Sequence, residues 1–298
     1  MSMTKSPSQR RYGLRMLAIT IACGGLLCCV TNLDATETVK PPAPPPTTPP
    51  LDTEAATVVC VNCDQKFEFP GHEEVNATLV GNKYVRELRQ AMYLQDTYHQ
   101  FESRAHFDNC AFGEATQYIK ELLTEAGTYV ANAEKAKAAA RQSDAETYTQ
   151  KAFFTIGQAL HAVQDFFAHS NYVELMNGKF TKASEIPVLH PWLPRDIERI
   201  AELRKQGLVS GYVYWGFPQT CPKSVPSHAN LAKDSETTKS GKVKLPHLEN
   251  LTQYKVALFL AKEASKDLVV YAFERWPFLA HMNGQYVAFE VFQERRGL

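Results

Sequence analysis

One apolar segment with helical spacing has three side chains, two histidines and one aspartate, on the same helix face. Side chains of these types can bind metal ions, and this feature constrains the fold most. From Ala145 to about Met176 the large apolar residues recur at helical spacing. Within this segment His161, Asp165 and His169 are spaced four residues apart, so they fall within about 80° of one another around a helix. Burying two imidazoles and a carboxylate without partners would cost on the order of several kcal/mol. The pattern therefore predicts a metal site inside a helical protein.

The pair His161 and Asp165 has a simpler alternative, because residues four apart on a helix also form hydrogen bonds or surface ion pairs. His169 in the same register favours the metal. Imidazole and carboxylate are ligands that Zn²⁺ accepts, and this spacing directs both to one ion.

Helical periodicity extends over most of the remaining chain. It predicts helices over residues 74–101, 112–141, 194–206 and 251–276. Residues 207–246 are rich in Gly, Pro, Ser and Lys and predict a long functional loop. No long sheet-forming alternation is present. The sequence predicts an all-α fold, a single multi-helix domain with a metal cleft between its helices.

The N-terminus has the order of an export signal. Basic residues precede the apolar run Met16–Val30, which is short for a membrane span. A polyproline spacer follows at Lys40–Pro50 and cannot pack a core. We predict a signal peptide or N-terminal anchor over residues 1–35, a Pro-rich linker over 36–56 and a helical hydrolase-like domain over 57–298. The protein is expected to be exported, periplasmic or secreted, with membrane tethering through the N-terminus left open.

Charge and cysteine content bear on two further questions, whether the protein binds nucleic acid and whether it contains disulfides. Residues 51–298 contain 27 basic and 30 acidic residues, so this part of the chain has no basic excess to attract nucleic acid. Four cysteines lie beyond the signal region, and an even number in an exported protein favours disulfides. Cys60 and Cys63 alternatively match half of a zinc ribbon, but the chain has no second CxxC pair to complete it.

The segment Leu160–Leu175, LHAVQDFFAHSNYVEL, resembles the signature of the Het-C family, named for fungal heterokaryon incompatibility. That family is similar in turn to the zinc-dependent phospholipases C and to single-strand nucleases of the same helical fold. Those enzymes hold zinc ions in a cleft between helices. The resemblance implies Zn²⁺ as the cofactor, with one to three ions bound.

Two further segments continue the resemblance. His72 begins HEEVNATL, which is similar to an early histidine element of the phospholipases, and His106 begins HFDN, similar to a later His-Phe element. Asp96 matches the carboxylate that precedes the latter. The resemblance implies that Asp96, His106, His161 and Asp165 surround one ion. Asp165 would bridge to a second ion shared with His72, and His169 would bind a third.

The remaining ligands of the third ion are less defined. The phospholipases complete this site with a later His-x-x-x-Glu element, which this chain lacks. Glu174 and His228 are the candidates, with an exposed surface residue and a loop histidine as their respective alternatives. The phospholipases also use an N-terminal Trp as a ligand, whereas the first Trp here is Trp192.

The implied activity is phosphodiester hydrolysis by a metal-activated water, with Asp96 as the catalytic carboxylate. The expected substrate is a phospholipid, cleaved as by a phospholipase C, with contact to a membrane surface. A nuclease or phosphatase on the same scaffold is one alternative. A non-enzymatic Het-C-like surface or incompatibility protein with a structural metal is the other.

Overall fold

The computed structural model describes residues 69–76, 79, 83–213, 221–222 and 224–283. The predicted signal, the Pro-rich linker and the pair Cys60 and Cys63 lie outside these residues. The predictions made for them therefore stay predictions.

Helices make up most of the described chain, which confirms the predicted fold class. The first five are α1 (Phe69–Asn76), α2 (Val85–Tyr98), α3 (Ser103–His106), α4 (Phe112–Ala138) and α5 (Gln142–His169). The other five are α6 (Tyr172–Met176), α7 (Pro194–Lys205), α8 (His228–Leu231), α9 (Gln253–Arg275) and α10 (Pro277–Asn283). A 3-10 turn at Ala183–Glu185 and an antiparallel pair of short strands, β1 (Lys244–Leu245) and β2 (Leu251–Thr252), complete the set.

Helix α5 forms the centre of the domain and packs against α2, α4 and α9. Its C-terminal half is buried on all sides, from Thr155 to His169 with Gln158 as a partly exposed exception. Helix α2 approaches α5 closely at Gly157, where an added Cβ would lie 2.7 Å from Ala91 Cβ and 3.1 Å from Leu88 Cα. This close approach brings the end of α2 beside the buried face of α5.

Three boundaries differ from the sequence predictions. The helix predicted over 74–101 is two helices, α1 and α2, and the one predicted to reach Met176 ends at His169. Ser170 has extended dihedrals and pairs with Ser210, which turns the chain away from the axis of α5. The predicted loop over 207–246 contains α8 and β1.

A sharp turn after α3 is joined covalently to a distant loop. Phe107, Asn109 and Cys110 all adopt left-handed backbone conformations, with φ between 53° and 55°. Such conformations persist only where the surrounding contacts hold them. Here Asn109 N–H donates to Gly211 O at 2.7 Å, and Cys110 forms a disulfide with Cys221. The turn that carries residues 106–108 is thus fixed to the segment preceding α8.

Among the helices of the described residues, none combines the length and apolar character needed to cross a membrane.

Candidate metal centre

One carboxylate, that of Asp165, lies at the centre of a group of imidazoles delivered by three helices. Asp165 and His161 come from α5, His106 from the end of α3 and His72 from α1. All four residues are buried. Helix α2 adds Asp96, whose side chain is 17% exposed. The close approach of α2 to α5 at Gly157 brings this last carboxylate within reach of His161.

The ligand atoms nearest His161 have the spacing of a coordination shell. Its Nε2 lies 2.9 Å from Asp165 Oδ2, 3.1 Å from His106 Nδ1 and 3.7 Å from Asp96 Oδ1. His106 Nδ1 is itself 2.9 Å from Asp165 Oδ2. Atoms about 2.0 to 2.1 Å from a tetrahedral Zn²⁺ would lie about 3.3 Å apart. The atoms of His161, His106 and Asp165 therefore fit around a single ion, and Asp96, His106 and His161 form an overlapping group of possible ligands.

The other oxygen of Asp165 faces His72. His72 Nε2 lies 3.6 Å from Asp165 Oδ1. This carboxylate oxygen has no hydrogen-bond partner among the described residues. His72 Nδ1 is 2.6 Å from Gln164 Oε1, an oxygen that can only accept. The proton of neutral His72 is therefore on Nδ1, and the lone pair of Nε2 points toward Asp165. Asp165 can bridge two ions.

A second cluster lies one helical turn further along α5. His169 and His228 have ring centroids 4.4 Å apart. Asp108 Oδ1 lies 2.8 Å from His228 Nδ1 and 3.7 Å from His169 Nδ1. Asp234 Oδ1 lies 3.3 Å from His169 Nε2. Two carboxylates and two imidazoles are thus gathered where α5 ends.

In the first cluster the surroundings of His72 and Asp165 favour the protonation states that bind a metal, whereas burial would lower the pKa of His106 but the hydrogen bond and charge of Asp165 raise it. Burial and the neighbouring His161 lower the pKa of His72 from 6.5 to about 4, so its imidazole is neutral at pH 7. Burial alone would raise the pKa of Asp165. The nearby imidazoles of His161 and His169, with hydrogen bonds from His106 and His161, instead hold it well below its usual value.

The second cluster contains two carboxylates in different surroundings. Burial would raise the pKa of Asp108, but His228 and His169 lower it overall. Burial dominates for Asp234 and raises its pKa. Burial would lower the pKa of His169, yet the carboxylates of Asp165, Asp108 and Asp234 raise it well above 6.5. A cation among these groups, whether a metal or a proton, is therefore stabilised.

The residues selected from the sequence fall into these clusters, with one exception. The structure gathers His72, Asp96, His106, His161 and Asp165 in the first, and His169 and His228 in the second. Glu174 lies outside both, because its carboxylate accepts from Lys233 Nζ and Ser240 Oγ, each at 3.2 Å. The geometry gives Glu174 an ion-pair partner rather than a place beside His169.

Sequence reasoning missed Asp108, Gln164 and Asp234. Each lies inside a motif that was recognised for another residue: Asp108 follows His106 in HFDN, Gln164 precedes Asp165, and Asp234 ends the stretch that begins near His228. For Asp108 the usable signal was a carboxylate two residues after a candidate ligand, His106. For Asp234 the only signal was its place six residues after the candidate ligand His228.

Three His/Asp groups in the described residues can hold metal ions: His72, His161 and Asp165; Asp96, His106 and His161; and Asp108, His169 and His228. The donor set is nitrogen and carboxylate oxygen throughout, which suits zinc and other first-row divalent ions.

Comparison with known proteins identifies the same region. Residues 81–188 match the family model of the VWA7 N-terminal domain, a Het-C/phospholipase C-like region. The match includes Asp96, His106, Asp108, the three ligand-type residues of α5 and Glu174, and stops short of His228. Searches of curated proteins and of solved structures found no significant match. The chain is thus similar over these residues to the VWA7 N-terminal domain, and the candidate metal site is read from the geometry of this chain's own residues. No activity follows from the match itself.

Proposed function

We propose that this protein is a zinc-dependent phosphodiester hydrolase that cleaves phospholipids in the manner of a phospholipase C. The observation that carries the proposal is the position of Asp165 between imidazoles, with His161 and His106 at one carboxylate oxygen and His72 at the other, so that this carboxylate could be shared by two ions. Adjacent ions held by a shared carboxylate suit phosphoryl chemistry. Bound there, zinc would act as a Lewis acid and lower the pKa of an attacking water.

We propose that Asp96 accepts the proton of the attacking water. Its Oδ1 lies 3.7 Å from His161 Nε2 at the edge of the cluster, and its side chain is 17% exposed whereas those of His161 and Asp165 are at most 1% exposed. A carboxylate in this position can orient a water and accept its proton while the buried residues keep their positions. Asp96 is accordingly the proposed general base.

Two features support a lipid substrate over a polynucleotide. The part of the chain beyond residue 50 has no excess of basic residues. Helix α2, which carries Asp96, and the turn after it also expose aromatic side chains: Tyr93 is 44% exposed, Tyr98 73% and Phe101 48%. Aromatic rings of this kind favour the boundary between water and lipid. We propose that this edge contacts a membrane surface.

The disulfide between Cys110 and Cys221 is compatible with the same assignment. Structural disulfides persist mainly in oxidising compartments such as the periplasm and the extracellular space. We therefore propose that the protein is periplasmic or secreted, where the phospholipids of a membrane surface are accessible.

The test compares two substrates and two variants. Purified protein would be assayed on phosphatidylcholine vesicles and on single-stranded DNA, with and without a chelator. We expect chelator-sensitive release of the phosphorylated head group, and a fall of about 100-fold or more in Asp96→Asn, within the range for loss of a general base. Asp144→Asn, which removes an exposed carboxylate from the start of α5, is the control and should retain activity.

Cleavage of DNA and not of lipid would replace the phospholipase assignment by the nuclease alternative. Equal rates of hydrolysis for wild type and Asp96→Asn would show that Asp96 is not the general base.

A structural role for the metal is the second candidate, and the burial of the ligands favours it. His72, His161 and Asp165 are each at most 1% exposed, as in sites where a metal only joins helices. If chelation lowered the melting temperature of a metal-loaded protein that hydrolysed neither substrate, this candidate would be preferred.

A further inference from the structure

The segment 106–110 carries two candidate metal ligands and one cysteine of the disulfide. His106 ends α3, and Asp108 and Cys110 follow at intervals of two residues. His106 Nδ1 lies 2.9 Å from Asp165 Oδ2 in the first cluster, and Asp108 Oδ1 lies 2.8 Å from His228 Nδ1 in the second. His106 and Asp108 are both buried. The position of this one segment therefore affects both clusters.

The conformation of this segment is not stable by itself. Phe107, Asn109 and Cys110 have φ between 53° and 55°, and each non-glycine residue in this left-handed region costs free energy. Helix α3 has only four residues, and a single helical turn is unstable in isolation. Contacts from elsewhere in the chain must therefore impose the conformation that directs His106 and Asp108 into their clusters.

Those contacts come from residues 210, 211 and 221. Asn109 N–H donates to Gly211 O at 2.7 Å, and Cys110 N–H donates to Ser210 Oγ at 2.9 Å. The disulfide from Cys110 to Cys221 adds a covalent bond between the same parts of the chain. Of these contacts, only the disulfide forms or breaks with the redox state of the surroundings.

The segment that holds the turn is itself attached to the helices that carry the other ligands. Ser210 pairs with Ser170, the residue that follows α5. Tyr212 O accepts from His228 N–H at 2.8 Å, at the start of α8. The turn after His106 is thus fixed to α5 and to α8 together.

We propose that the Cys110–Cys221 disulfide controls the metal affinity of the protein. In the oxidised chain the turn keeps His106 and Asp108 beside their partners on α5 and α8. In the reduced chain the left-handed residues relax, these two side chains move away from their partners, and zinc is bound more weakly. An exported chain would accordingly bind its ions tightly only after the disulfide has formed. The inference rests on the metal-binding part of the proposed function and does not require hydrolysis.

Reduction of this disulfide requires two electrons, which a dithiol can supply. A thiolate of the dithiol attacks Cys221 Sγ, because Cys221 is partly exposed whereas Cys110 is buried, and Cys110 leaves as a thiolate. The second thiolate of the reductant then attacks the reductant's own sulfur in the mixed disulfide and releases Cys221. The dithiol ends as a cyclic disulfide, and its two protons pass to the two cysteines.

The competing account gives the disulfide a purely global role. The bond closes a loop across 111 residues of sequence and would stabilise the fold mainly by restricting the unfolded chain. In that account reduction lowers the free energy of unfolding, but the protein that remains folded binds zinc as tightly as before. The zinc Kd of the folded protein separates the two accounts.

The test is the zinc Kd of the full chain, measured by chelator competition before and after reduction with a phosphine. A phosphine is used because thiol reductants are themselves zinc ligands. It becomes the phosphine oxide, with water supplying the oxygen and the two protons. Circular dichroism would verify that the reduced protein is folded at the temperature of the measurement. We expect reduction to weaken zinc binding by about 10- to 100-fold, the range for loss of a group that supports a metal ligand.

Two variants assign the effect to this disulfide. Cys110→Ser/Cys221→Ser should show the weakened Kd without reductant and no further change when the phosphine is added. Cys60→Ser/Cys63→Ser removes the cysteine pair that lies outside the described residues, and its zinc binding should weaken on reduction as that of the wild type does. A response lost in Cys60→Ser/Cys63→Ser would assign the effect to that pair and overturn the proposal.

An equal Kd for the oxidised and the reduced folded protein would overturn the proposal in favour of the global role, and so would a protein that unfolds on reduction. If Cys110→Ser/Cys221→Ser does not fold, the reduced wild type decides. Weaker zinc binding on reduction in a protein that cleaves no phosphodiester would contradict the proposed function and leave this inference in place. An oxidised wild type that binds no zinc would contradict both.

Discussion

Gln164 Oε1 lies 2.6 Å from His72 Nδ1 and joins α5 to α1 inside the metal centre. The amide group has a fixed orientation, because its nitrogen donates to Asn76 Oδ1 and to Ser265 Oγ, each at 3.1 Å. The oxygen must therefore face His72. This contact sets the tautomer of His72 and aims its Nε2 at Asp165.

Replacing Gln164 should weaken metal binding without removing a ligand. In Gln164→Met the acceptor for His72 Nδ1–H is lost, and we expect zinc affinity at the His72 position to fall about 10- to 100-fold. Chelator competition would measure this change. Gln158→Met, on the same helix and bonded to Gln95 instead, is the control. Identical affinities in the two variants would show that Gln164 does not orient His72.

Local patterns predicted the centre of the fold well. The four-residue spacing of His161, Asp165 and His169 could be placed on one helix face because a helix has a fixed period, and α5 carries all three. The ends of helices depended on contacts that are distant in sequence. Helix α5 stops at His169 because Ser170 pairs with Ser210, a contact that no local pattern contains.

Ligands contributed by loops were the least predictable. Asp234 reaches His169 through the buried bonds of Lys233, and Asp108 reaches His228 through a turn with left-handed residues and a disulfide. These relationships join segments more than 60 residues apart, so sequence proximity to His169 predicts Glu174 as a ligand, whereas the residue that lies near His169 in space is Asp234.

Gly211 has no room for a side chain. A Cβ there would lie 2.4 Å from His228 Cα and 2.9 Å from His228 N, which are backbone atoms that cannot move without displacing α8. Gly211→Ala should lower the free energy of unfolding by about 1 to 3 kcal/mol, as for other overpacked sites. Thermal unfolding would measure this loss.

The control for Gly211→Ala is Gly113→Ala, since nothing lies within 4 Å of a Cβ added at Gly113 in α4. That variant should be neutral or more stable by up to about 1 kcal/mol. Equal stability of the two alanine variants would contradict the close approach of Gly211 to His228.

His190 joins α7 to α9 away from the metal ligands and should make stability depend on pH. Its Nδ1 lies 2.7 Å from Asp196 Oδ2 and its Nε2 lies 2.9 Å from Asp267 Oδ2. Burial would lower the pKa of His190, but these two carboxylates raise it above 6.5. Burial would raise the pKa of Asp196, but Arg195 and His190 hold it below 3.8.

Because the pKa of His190 is raised in the folded protein, its ion pairs contribute stability that is fully present below about pH 6.5. This stability is lost as the pH rises through the folded pKa. Because the pKa of Asp196 is lowered in the folded protein, its ionised carboxylate contributes stability above about pH 3.8. This stability is lost as the pH falls through the folded pKa. His190→Gln should therefore be less stable than wild type by on the order of 1 to 3 kcal/mol near pH 5 to 6, with a smaller difference at pH 9.

Denaturant unfolding across this pH range, with His99→Gln as the control for a surface histidine paired with Glu102, would measure the effect. A difference that does not change with pH would show that the pKa of His190 is the same in the folded and unfolded protein.

The zinc content of purified wild type and of Asp165→Asn tests the central claim most directly, with Asp144→Asn as the matched control from the same helix. Because Asp165 contacts His161, His106 and His72, the substitution should remove the ions that these residues share while the control retains the wild-type content. Two to three equivalents of zinc in the wild type and a loss of at least one in Asp165→Asn is the predicted result. A wild type that binds no metal after saturation with Zn²⁺, or an Asp165→Asn variant with undiminished zinc, would contradict the account.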